Sequence, residues 1–268
     1  MCKHDAPVFG TSFVYDWGGR RWPYPDVWVS EPVDGAAPAS AERRLVCHYT
    51  PDSDPTGSEA LRFGDSYYYE GLQYCEDEQQ ALRIGCFQAA ELLFLHAAAA
   101  GDPAGHLGLA RLYLHDRCEG GYWEIMMSWQ TARDLRRPCS CEEKAFRHYR
   151  IAARADVAEA CCALGDLLRE GRGCQADLAE AFAWYSHAYE LGASGGREVR
   201  GCAALRLGRA YEQGEGCDRN LTRAEAWYGR AFAELDAAVS AGADWHRTTL
   251  WSAREGLVRV RRALERRN

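Results

Sequence analysis

A block of twelve residues that returns 43 positions later constrains this chain more than any local propensity. Ala163-Leu164-Gly165-Asp166-Leu167-Leu168-Arg169-Glu170-Gly171-Arg172-Gly173-Cys174 comes back as Arg206-Leu207-Gly208-Arg209-Ala210-Tyr211-Glu212-Gln213-Gly214-Glu215-Gly216-Cys217. The same step carries Ala183-Trp184-Tyr185 onto Ala226-Trp227-Tyr228, so both halves of the unit repeat in register. Earlier copies are fainter. Arg147-His148-Tyr149 with Ala152-Ala153 precedes Tyr185 by a step of 36, and Leu93-Phe94 with Ala97-Ala98 and Gly101 leads into Leu109-Ala110-Arg111-Leu112-Tyr113. About four units can be placed, and a fixed period of a few tens of residues is the mark of a stacked array.

Each unit has a physical logic. Gly165 and Gly208, with alanines nearby, let two helices approach closely, while Leu164, Leu168, Leu207 and Tyr211 share one helical face. The pairs Gly171/Gly173 and Gly214/Gly216 then stop the helix, because glycine takes a left-handed cap at little cost. A second helix is expected after Asp177, and in the next unit near Thr222, with Ala181, Trp184, Tyr185 and Ala188 on helical spacing. No such unit buries its apolar face alone, so neighbours must stack.

The order Leu-Gly, a hydrophobic residue, Gly-x-Gly, an acidic residue and Ala-x-Trp-Tyr-x-x-Ala resembles the Sel-1-like repeat, a branch of the tetratricopeptide superfamily. The likeness spans residues 58–244 and is sharpest over 158–192 and 201–241. Cys174 and Cys217 stand where the family commonly has valine, a swap that is conservative for burial. The resemblance implies an all-α fold, a right-handed α-α superhelix whose first helices line a concave, partner-binding surface.

Three segments depart from the repeat. Residues 116–141 form an insertion containing Tyr122, Trp123, Met126, Met127 and Trp129, apolar enough to pack as an extra helix or to serve as a binding lip. Residues 1–57 alternate aromatics with turn formers, as in Trp17-Gly18-Gly19 and Trp22-Pro23-Tyr24-Pro25, and are expected to be irregular or short β structure capping the first unit. Residues 245–268 place Leu250, Leu257, Val258, Val260 and Leu264 on a helical stripe with arginines elsewhere, a terminal capping helix with a solvated basic face.

Composition excludes several classes. A net charge of -7 over 268 residues gives no basic field for nucleic acid or anionic lipid. The longest nearly apolar stretch, Ala89 to Ala100, contains Glu91 and His96 and is too short to span a bilayer. Without an export signal, the twelve cysteines read as reduced thiols, and a cytoplasmic location is expected.

Catalytic signatures are missing. Gly171-Arg172-Gly173 lacks the lysine of a phosphate loop, no Gly-x-Ser-x-Gly elbow occurs, and adjacent Cys161 and Cys162 read as core. The one constellation with chemical content is His115-x-x-Cys118 with Cys139-x-Cys141 and His148 nearby, a soft donor set of the kind that holds tetrahedral zinc. That set defines the alternative reading, a zinc- or thiol-dependent regulatory protein. Otherwise no cofactor is expected.

The leading expectation is a non-enzymatic scaffold for a protein or extended peptide. Carrying the resemblance over, the outward position after the small residue of each first helix is Arg111, Asp166 and Arg209. One turn on come Leu114, Arg169 and Glu212, with Arg206 beside them. The arginines among these suit a partner with acidic groups, held by charge-assisted hydrogen bonds.

Overall fold

The computed structural model describes residues 14–17, 20–23, 26–31, 42–48, 54–73, 80–115 and 140–266, so nearly all of the 116–141 insertion lies outside the described residues. The chain divides into two compact units, 1–141 and 142–268.

In the first unit, strands β1 (Val14–Trp17) and β2 (Arg20–Pro23) pair antiparallel. So do β3 (Asp26–Glu31) and β4 (Glu42–His48), with a bulge between Val27 and Trp28. From residue 58 onward every described regular element is helical. Helix α1 (Ser58–Gln73) packs on α2 (Gln80–Ala99), and α2 on α3 (Pro103–Leu114). Asp102 caps α3 by accepting from the Ala104 N–H at 2.9 Å, with Pro103 at the first helical position, where its missing N–H costs nothing.

Phe94 explains why glycines stand in α1 and α3. A Cβ at Gly64 would lie 2.7 Å from its ring and one at Gly108 2.6 Å, so only bare backbone lets both helices close on the fully buried aromatic. Leu93-Phe94, the faintest copy of the repeat in the sequence, is thus a ring wedged between the glycines of two flanking helices.

The second unit repeats this device with tyrosine. It comprises α4 (Cys141–Arg154), α5 (Ala158–Glu170), α6 (Leu178–Gly195), α7 (Arg197–Gln213), α8 (Leu221–Ser240), a 3-10 turn at Asp244–His246, and α9 (Arg247–Glu265). From α5 to α9 each helix packs on the next, and α7 also touches both α5 and α9. Tyr185 on α6 lies against Gly165 of α5, where a Cβ would come within 2.4 Å of the ring. Tyr228 on α8 lies between Gly208 of α7 and Gly256 of α9, with corresponding distances of 2.9 and 2.5 Å. Around it Ala204, Ala224, Ala231, Leu235, Ala253 and Val260 form a continuous core.

The two glycines of each Gly-x-Gly do different things. Gly171 and Gly214 end α5 and α7 in the left-handed conformation, with φ of 69° and 80°. Gly173 and Gly216 also have positive φ, and in addition a Cβ on them would collide with the Glu142 and Leu178 carbonyl oxygens at 2.1 and 2.0 Å. The second glycine is therefore where each turn sits on the start of the preceding second helix. Asp177 caps α6 through the Glu180 N–H, as its sequence position implies. Helix α8 is capped by Asn220, which accepts from the Arg223 N–H, while the expected cap Thr222 lies exposed inside the first turn. Asn is as good an N-cap as Thr and stands one residue before the helix, so it wins.

Candidate ligand-binding face of the second unit

Helices α5 and α7 are the first helices of successive units, α9 packs beside α7, and carboxylates tie the three together. Tyr185 donates its phenol to Asp166 Oδ1 at 2.9 Å, and Arg206 of α7 straddles the same carboxylate, its Nε 2.8 and 3.0 Å from the two oxygens and its Nη2 on Oδ2. One unit on, Tyr228 donates to Glu212 Oε2 at 2.7 Å, while Arg259 of α9 grips Glu212 with Nε and Nη2 at 2.7 and 2.8 Å. Each tie thus joins a first helix, its own second helix and the helix that packs beside that first helix. Bidentate, charge-assisted bonds of this kind are among the stronger polar contacts a protein makes.

The protonation energetics follow. Burial, then the neighbouring carboxylate, pushes the Tyr185 and Tyr228 phenols up. Burial works against the Arg206 cation, but its hydrogen bonds to Asp166 and that carboxylate's charge more than offset this and raise its pKa. The Arg259 hydrogen bonds hold the Glu212 carboxyl below its ordinary range, against burial and with help from the Tyr228 hydroxyl.

Asp166, Arg206 and Glu212, expected from their positions to face a ligand, therefore have internal partners. The reason is that complementary charges on α5, α7 and α9, 40 and 47 residues apart, meet across the stack. The same geometry alters the reading of the last helix. Arg259 and Arg261 are not merely solvated, since Arg261 bonds Glu225 at 2.8 Å. Helix α9 packs on α7 and α8.

Between these three helices lies a cleft of about 370 Å³, walled by Asp166, Arg169 and Glu170 of α5, Cys202, Leu205, Arg206 and Arg209 of α7, and His246, Thr248, Thr249 and Ser252 at the start of α9. Of the expected site residues, Asp166, Arg169, Arg206 and Arg209 converge here. Arg169 is paired with Glu170, whereas Arg209, half-buried, makes no side-chain hydrogen bond or ion pair among the described residues. His246 reaches Cys202 Sγ with Nδ1 at 3.9 Å and Glu198 with Nε2 at 3.5 Å. Burial pushes the Cys202 thiol up, against the neighbouring Arg206 charge. His246, Thr248, Thr249 and Ser252 were invisible as site residues because the repeat motif stops before them. The one signal that could have found them is Gly256, a small residue placed to meet a tyrosine.

Arg111 and Leu114 stand on α3 of the first unit, both half-buried. Of the zinc candidates, Cys118 and Cys139 lie outside the described residues, His115 is exposed beyond α3, and Cys141 is half-buried at the start of α4. Among the described residues no three His, Cys, Asp or Glu side chains are grouped to hold a metal. Cys161 and Cys162 are buried, and burial pushes their thiols up to about 11 and about 12. No described helix is long and apolar enough to cross a membrane.

Residues 142–157, 158–192 and 203–234 match the Sel1 repeat family. Three Sel1 repeats thus lie within the second unit. Gly165 and Tyr185 in one Sel1 repeat, and Gly208 and Tyr228 in the next, are the glycine and ring that interlock above. Among solved structures, a Sel1 repeat protein from Oxalobacter formigenes is similar at 22% identity over 69% of this chain and 61% of its own, with a TM-score of 0.47. A protective antigen of uropathogenic Escherichia coli strains displaying an SLR fold is similar at 17% identity over 78% of this chain and 54% of its own, with a TM-score of 0.34. The chain thus spans less than two thirds of either. No curated protein sequence matches it. Sel1 repeats are in general protein-interaction scaffolds.

Proposed function

We propose that this protein is a non-catalytic adaptor that binds a protein or extended peptide bearing acidic groups on the face formed by α5, α7 and α9. One observation carries the reading: α5, α7 and α9 leave an open, polar cleft between them while Asp166, Arg206, Glu212 and Arg259 hold the three helices together. A scaffold needs rigid walls and a surface with unspent polar groups, and the ties supply the first while Arg209 supplies the second. The protein works without a cofactor and in the cytoplasm, a placement that the buried thiols Cys161 and Cys162 favour.

Affinity capture with the full chain tests this. A partner retained by the wild type and lost when both Arg169 and Arg209 are alanine supports it. A partner retained equally by that variant removes the first-helix face from the account.

A further inference from the structure

We infer that Cys202, His246 and Glu198 form a nucleophilic thiol site, at which Cys202 is modified by thiol–disulfide exchange with a small-molecule disulfide. The inference stands apart from the binding role proposed above.

Three side chains from two elements meet in line. Glu198 and Cys202 are four residues apart on α7 and so share one helical face. The 3-10 turn at Asp244–His246 sets an imidazole against both, its Nδ1 3.9 Å from the Cys202 sulfur and its Nε2 3.5 Å from the Glu198 carboxylate. The turn is anchored, because the His246 N–H donates to the carbonyl of buried Ala243 at 3.0 Å. With the Nε2 hydrogen directed at Glu198, Nδ1 is the nitrogen left to accept a proton. A thiol, a base and a carboxylate that orients the base are the parts of an activated nucleophile, and the thiol-to-base distance is often loose before a reactant arrives.

Access and surroundings separate Cys202 from the core thiols. Cys161 and Cys162 are buried, whereas Cys202 is half-buried and lines the cleft together with His246. At roughly 30 Å³ per water, its volume of about 370 Å³ holds on the order of a dozen waters, room for a small disulfide beside the sulfur. Arg206 stands one turn on, its Nη1 3.1 Å from the Cys202 carbonyl, and its charge favours a thiolate. Burial outweighs that charge, with Asp166 and Glu159 of α5 adding to burial, so the resting thiol keeps its proton. It therefore reacts only as a base removes that proton, and His246 Nδ1 faces it.

The step balances within these groups. His246 Nδ1 takes the thiol proton as the Cys202 sulfur attacks one sulfur of the disulfide, and the reagent's S–S bond breaks as the new one forms. The leaving thiolate takes the proton from the imidazolium and departs as a thiol. Cys202 is oxidised, the departing sulfur is reduced, and the disulfide itself is the oxidant. Exchange builds no oxyanion, so it needs none of the extra donors that acyl transfer requires. Glu198 is a positioning residue, since it meets the imidazole and not the sulfur.

The experiment treats the full, reduced chain with hydroxyethyl disulfide near neutral pH and follows each cysteine by peptide mass spectrometry. Cys174 and Cys217 are the internal comparison, since both are half-buried with thiols pushed up by burial and neither meets an imidazole among the described residues. Cys202 should form the mixed disulfide about 100-fold faster than either, the lower end of what a positioned base contributes. His246→Gln should slow Cys202 by about the same factor and leave Cys174 and Cys217 unchanged. In the wild type the Cys202 rate should rise with pH in two steps, of the imidazole and then of the thiol, and in His246→Gln the first should vanish. Glu198→Ala should shrink that first step, and Glu198→Gln, which still accepts from Nε2, should restore most of it. Cys202 reacting no faster than Cys174 and Cys217 in the wild type overturns the site, and this comparison needs no variant to fold. An unchanged Cys202 rate in His246→Gln overturns it too.

Discussion

Replacing Gly165 by alanine sets two known effects against each other, and the structure says which wins. In a helix interior the added methyl removes backbone entropy from the unfolded chain and is worth about 0.5–1 kcal/mol of stability. At Gly165, however, the new Cβ would stand 2.4 Å from Tyr185 Cε1 and 2.7 Å from Cδ1. The ring cannot slide away freely, because its hydroxyl is bonded to Asp166 and Asp166 is held by Arg206. Overpacking of this kind costs about 1–3 kcal/mol, and the closeness of the contact puts Gly165 toward the upper part of that range. The expected balance is a net loss of about 1–2 kcal/mol. Gly229 supplies the internal control: it lies within α8, and a Cβ there meets nothing within 4 Å, so Gly229→Ala should stabilise by about 0.5–1 kcal/mol. Urea unfolding followed by circular dichroism reads both as shifts in opposite directions. A Gly165→Ala protein as stable as Gly229→Ala would refute the argument that the glycine exists to admit the ring.

Other expectations follow from the same contacts. Arg206→Ala removes the bidentate grip on Asp166, and a loss of about 2–3 kcal/mol is expected in the same assay. Because the Glu212 carboxyl is held below its ordinary 4.5, the Arg259–Glu212 tie contributes fully above that pH. Its contribution is lost as pH falls through the lowered value, so Glu212→Gln should flatten the acid limb of a stability-versus-pH curve. Cys161 and Cys162, buried and with raised thiols, should resist iodoacetamide at pH 8 until urea unfolds the chain; peptide mass spectrometry that finds either alkylated in the folded protein would contradict their burial. Elemental analysis of the purified protein should show no stoichiometric zinc.

The periodic part of the fold was legible because it is local. Leu164, Gly165, Tyr185 and their copies recur at fixed steps, and the constraint each obeys, a glycine opposite a ring, is the same every time. Even the weak copy at Leu93-Phe94 follows it, with Gly64 and Gly108 in place of the second unit's glycines. The site was legible only in part. Arg169 and Arg209 line the cleft, and so do Asp166 and Arg206, but Asp166, Arg206 and Glu212 are also drawn into ties with charged partners 40 or more residues away. Nothing in a local pattern says that Arg206 will meet Asp166 rather than solvent. The far wall was missed for a related reason. Helix α9 lacks the Leu-Gly and Gly-x-Gly marks of a repeat, yet Gly256 and Arg259 let it take the next place in the stack.

The adaptor account stands or falls on which face of the second unit holds the partner. Capture efficiency should be compared between Arg169→Ala/Arg209→Ala, on the first helices, and Arg150→Ala/Arg230→Ala, which removes the same charge from the second helices α4 and α8. The account predicts that the first pair abolishes capture and the second leaves it at the wild-type level. Loss of capture with the second pair, and retention with the first, would contradict it.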